Sequence, residues 1–114
     1  MNEVVIIDRV TEKIYKDDPT LWERYGQRGV DRCREDNEHH LRQLRAAYAV
    51  KSPQMVVDYA HWLNGILNRH GMTTAHLTAN FRFLQEALRE EKTEKAVVFS
   101  EYLDEAVHSL EAAE

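Results

Sequence analysis

Apolar side chains recur along this chain every three or four residues, and a period of two is never sustained beyond the brief apolar opening at Val4 to Ile7. That is the repeat of the helix, so the residues that must leave water lie on helical stripes rather than on the faces of a sheet. The fold class is therefore all-α.

The stripes can be traced in order. Val4, Ile7, Val10 or Thr11, and Ile14 form the first, an amphipathic helix suited to docking on a partner or on the rest of the chain. The run DDPTLWER then restarts the chain, because proline fits a first helical turn and Thr20 with Glu23 makes a capping box. Gly26 and Gly29 weaken the helix at this point and predict a bend or break. Val30, Cys33, Asn37, Leu41, Leu44 and Tyr48 then keep one face to about Val50, where KSPQ ends it. Ser52 as N-cap with Pro53 behind it opens a broad face of Met55, Val56, Tyr59, Trp62, Leu63, Ile66 and Leu67, ending at His70 and Gly71. Thr73 or Thr74 caps the next helix, with Leu77, Phe81, Leu84 and Leu88 in register. Thr93 opens the last, carrying Val98, Tyr102, Ala106 and Leu110. Five or six helices joined by short loops must bury these faces against one another, as a compact bundle or in globin-like packing.

At 114 residues there is room for one core, so residues 1–114 read as one domain with residues 1–18 as an N-terminal docking helix. The apolar runs are too short to span a bilayer. The start, MNEVVIIDR, lacks the cationic beginning of an export signal, and a single cysteine makes no internal disulfide, so a cytoplasmic location is expected. The net charge is −5, and from Glu86 to Glu114 there are nine acids against three bases. Arginines of the central segment are interleaved with acids rather than gathered into a stripe, which argues against nucleic acid as a partner.

Chemistry is concentrated in residues 33 to 42, CREDNEHHLR. Cys33, Asp36 and His40 stand at intervals of three and four, so a helix projects them from one side. A thiol, a carboxylate and an imidazole there suit a transition metal, but Asp58 and His61 are the nearest further pair, and no CxxC or HExxH supports them. The plainer reading makes Cys33 a small core residue, Asp36 a solvated acid, and His39 and His40 the edge of an amphipathic helix. A thiol enzyme would draw its base from a separate element and needs an oxyanion hole, so the pattern points away from catalysis. His61, His70 and His76 are the candidates for haem iron, though no motif signals it.

Tyr25, Arg28, Cys33, Asp36, Leu41 and Arg42 together fit YxxRxxxxCxxDxxxxLR. This resembles the chromophore-binding helix of the phycobiliproteins, the globin-like light-harvesting proteins. WLNGILNRHGM and EYLDEAVHSL are similar to that family's next helix and to its closing one, so the likeness runs over roughly residues 22 to 110. The segment is also similar to small bilin-biosynthesis-associated globins and to helical modules that precede cobalamin-binding domains. The resemblance implies a globin-like fold and a linear tetrapyrrole, a bilin, as cofactor. It gives Cys33 a thioether to the end ring, Asp36 the pyrrole N–H groups, and Arg28, with Arg32, a propionate. Glu35 departs from the pattern, standing where the family carries an arginine, and the family's long N-terminal extension is mostly missing.

Two functions are therefore expected. The first is a non-enzymatic, phycobiliprotein-related globin that binds or handles a bilin, with a bilin-pathway protein as partner. The second is a ligand-free helical sensory or interaction module acting through dimerisation. A homodimer is expected in either case, because the N-terminal apolar stripe asks for a covering surface.

Overall fold

The computed structural model describes residues 1–114 as five helices and no strand: α1 Glu3–Asp17, α2 Thr20–Val50, α3 Pro53–Arg69, α4 Thr74–Arg89 and α5 Glu94–Ala112. Most of their ends carry the signals the sequence offers. The Thr73 side chain accepts the His76 N–H and the Thr93 side chain that of Ala96, each satisfying a first-turn donor that has no helical partner. Pro53 occupies the first turn of α3 behind Ser52. The capping box at Thr20 and Glu23 does not form. Asp18 does its work, its carboxylate accepting both the Thr20 N–H and the Thr20 hydroxyl, so that hydroxyl is already committed as a donor.

The expected break in α2 falls at Gly26, whose φ of 59° and ψ of −150° lie in a region only glycine enters freely. At the other end Lys51 takes a left-handed φ of 53°, and the Ser52 N–H closes on the Ala47 carbonyl at 2.9 Å, which stops the helix where KSPQ predicts.

α1 lies in the groove between α2 and α4. Ile6, Ile7, Val10 and Thr11 are buried there, and Ile14 packs against the core beside them. Arg9 pairs with Glu90 at 2.9 Å and Glu91 at 3.1 Å, Lys13 with Glu86 at 3.5 Å, Asp8 with Arg34 at 2.7 Å, and Glu3 with Arg45. From Ile6 to Ile14 the first stripe is thus covered by its own chain, while Val4 at its start stays 63% exposed.

The core centres on Phe81 and Phe99 with Leu41, Leu44, Leu84, Leu88, Leu103 and Leu110, all fully enclosed. Burying a leucine or phenylalanine stabilises a fold by about 1.5–3 kcal/mol. The α4 stripe is the one read from sequence. In α5 the buried stripe is Ala96, Phe99, Leu103, Ala106, Val107 and Leu110, while Val98 and Tyr102 are only half-buried. One position is a rotation of about 100°, so Val98 and Tyr102 start the expected series to one side of the core, while its later members Ala106 and Leu110 fall within the buried stripe.

α3 is the exception to this economy. It is apolar along most of its length, yet it fully buries only Val56 and Ala60. Val57, Leu63 and Leu67 touch the core from its margin, and Trp62 is 64% exposed. No helix is long and apolar enough to cross a membrane.

Candidate functional site

The residues of the central motif share a helix, but their side chains make different contacts. Cys33 is half-buried and turns toward α1, where its sulfur sits beside the Thr11 hydroxyl and 3.8 Å from the Asn37 amide nitrogen. Burial pushes its thiol up to about 11, and the nearby Asp36 carboxylate adds to the rise. At neutral pH the sulfur is therefore a thiol, not the nucleophilic thiolate.

Asp36 turns the other way, to the corner where α3 meets the start of α4. Its neighbours are Tyr59, His76, Arg32 and His39. Arg32 Nε stands 3.6 Å from its carboxylate, one helical turn away. Burial raises the Asp36 pKa, and Arg32 offsets part of that rise. His76 is held low by burial, with Asp36 and Asp18 pulling it back up. Arg28 is exposed a further turn toward the break. The structure thus joins Asp36 to Arg32, leaves Arg28 in solvent, and directs Cys33 at a different helix.

His40 is where the sequence reading needs correcting. It is not the edge of the helix but fully enclosed, with Nδ1 2.7 Å from the Tyr59 hydroxyl and its ring edge-on to Phe81 at 5.0 Å between centroids. Burial holds it down to about 3. Two tautomers satisfy the contact, with Tyr59 donating to a bare Nδ1 or accepting from Nδ1–H, and in both the imidazole is neutral. Burial, and then the Asp36 charge, pushes the Tyr59 phenol above its ordinary range, so it too stays protonated.

Beside this pair lies a second buried polar contact. Asn37 donates to the Asn80 side-chain carbonyl at 3.2 Å and Asn80 donates back at 2.8 Å, while Asn37 also donates to the Cys33 carbonyl at 3.0 Å. Asn37 and His40 are three apart and both face inward, so one turn of α2 is tied to α4 through an amide pair and to α3 through the phenol. The signal for His40 was present in the series 37, 40, 41, 44 and 47, which places it among apolar positions.

No three histidine, cysteine, aspartate or glutamate side chains converge in a way that would hold a metal ion. Two open depressions lie along α5. One, of about 580 Å³, includes Gln85, Arg89, Ser100 and Asp104; the other, of about 550 Å³, includes Lys51, Gln54, Glu105 and Ser109. Their linings mix both charges and contain none of Cys33, Asp36, Arg28 and Arg32. Comparison with known proteins finds no match among family descriptions, curated sequences or solved structures.

Proposed function

We propose that the chain is a small helical interaction module that pairs with a second copy of itself through the uncovered face of α3. The observation that carries this reading is Trp62, 64% exposed on a helix that fully buries only Val56 and Ala60. Tyr59 stands beside it, the two ring centroids 6.3 Å apart, and Met55 is exposed a further turn back. Tryptophan and tyrosine are enriched among the few residues that carry most of the free energy where protein surfaces meet, because each covers a large apolar area with few rotatable bonds. Light scattering across a concentration series tests the proposal. Wild type is expected to dimerise, and Trp62→Glu to stay monomeric with unchanged helix content and the melting temperature that wild type approaches on dilution. A wild type that remains monomeric at its solubility limit sinks this reading.

A second reading is favoured by Asp36. In a globin-like, phycobiliprotein-related arrangement, a half-buried carboxylate flanked by Tyr59 and His76 suits the pyrrole N–H groups of a linear tetrapyrrole, with Arg32 or Arg28 for a propionate. Cys33, half-buried against α1 with its thiol held protonated, disfavours a thioether, so this reading takes the binding as non-covalent. Co-expression with a bilin-producing pathway distinguishes the cases. The non-covalent case gives a spectral shift in solution that Asp36→Ala abolishes and no zinc-enhanced fluorescence on a denaturing gel. Absence of both signals removes the bilin reading.

A further inference from the structure

We propose that α1 is an exchangeable arm: the segment from Asp18 to Gly26 opens, and α1 docks on a second copy of this chain in the groove between α2 and α4 that it fills in its own. The hold on α1 consists of one apolar stripe and a set of ion pairs, which end on Arg34 and Arg45 of α2, on Glu86 of α4, and on Glu90 and Glu91 just past the end of α4. Arg9 and Lys13 face acids in the last turn of α4 and just past its end, while Glu3 and Asp8 face arginines of α2. A second copy presents the same stripe, the same groove and the same complementary charges.

The hinge is visible in two glycines. Gly26 holds φ and ψ that other residues avoid. A Cβ on Gly29 would stand 2.6 Å from the Tyr25 Cβ and 3.1 Å from the Tyr15 hydroxyl. Both requirements belong to the folded-back form alone. In an uninterrupted helix every residue adopts ordinary angles, and side chains four apart stand roughly 5–6 Å from each other. Thr20 to Tyr25 are already helical, so returning Gly26 to helical angles joins them to the rest of α2 as one rod of 31 residues. That rod is about 46 Å long at the helical rise and carries α1 away from its own groove.

The hinge segment also bears two uncovered aromatics, Trp22 at 52% and Tyr25 at 55% exposure. In a two-fold dimer with exchanged arms, the only surface absent from the monomer forms where the two hinge segments pass each other. Trp22 and Tyr25 lie on that surface, and exchange would cover them.

This inference stands apart from pairing through α3, and the test keeps them separate by placing Trp62→Glu in every chain. One chain also carries Arg9→Glu and Lys13→Glu; the other carries Glu86→Lys, Glu90→Arg and Glu91→Arg. In either chain alone, α1 meets its groove with like charges opposed. When the two chains exchange arms reciprocally, every such contact becomes attractive. After joint dilution from urea, native mass spectrometry is expected to find a one-to-one heterodimer in place of monomers and homodimers. Mixed chains that behave as they do separately, whether folded or not, overturn the proposal. In the Trp62→Glu background, Gly26→Ala is expected to strengthen dimerisation about tenfold or more, since it penalises only the folded-back form. A less stable monomer without dimer also overturns it.

Discussion

Replacing His40 by asparagine tests whether the neutral imidazole at the centre of the fold governs its response to acid. In the unfolded chain this histidine takes up a proton near its ordinary value of 6.5, whereas burial holds the folded protein's His40 down to about 3. Between those limits the unfolded state binds more protons at this site. Stability therefore rises with pH across the window and is lost as pH falls through it. Each pH unit corresponds to about 1.4 kcal/mol, so acidification from above 6.5 to about pH 4 removes about 3 kcal/mol through His40. His76, also held low, acts in the same direction; Asp36, held high, acts in the opposite one over its own range. Asparagine keeps a polar atom near the position of Nδ1 but does not titrate. Urea unfolding at about pH 7 and about pH 4 should show wild type losing about 3 kcal/mol more than His40→Asn. The comparison of slopes removes whatever packing the substitution costs at neutral pH. Equal losses in the two proteins would refute the argument, as would a His40 ring resonance that titrates at an ordinary histidine pH.

Asn37→Ala leaves the Asn80 amide buried without its partner and is expected to cost about 1–3 kcal/mol in urea unfolding, whereas replacing both by leucine should recover most of it. Cys33 should react with a disulfide reagent near pH 8 about a hundredfold more slowly than a thiol of pKa 9.0, from the rise to about 11 alone, and at the ordinary rate in urea.

The fold was legible where one signal had no competitor. Leu77, Phe81, Leu84 and Leu88 admit a single stripe, and Gly26 in a helical run admits a break. The capping residue of α2 was not legible, because Asp18, Thr20 and Glu23 all offer plausible bonds and only the path of the chain past Pro19 decides among them. The α5 face is misaimed in its first half, at Val98 and Tyr102, because Val97, Val98 and Phe99 are consecutive and apolar, and periodicity within one helix does not choose between adjacent phases. Coverage of the N-terminal stripe by α2 and α4 was equally out of reach, since a stripe records which side chains must be buried and not which surface buries them.

The candidate site shows the same limit more sharply. A spacing of three residues leaves two side chains about 60° apart around a helix axis, close enough to count as one face on an exposed helix. On α2 that angle spans the boundary between two contacts. Cys33 meets the seam with α1 and Asp36 the corner of α3 and α4, while Asn37 and His40, each one turn further along α2, point into the core. A pattern of cysteine and aspartate therefore specifies a shared pocket only when the neighbouring helices leave that boundary open. Here α1 approaches from one side and Tyr59 with His76 from the other. The polar groups of CREDNEHHLR are accordingly divided among three surroundings, and the histidine that the sequence placed at the edge is the one the core encloses.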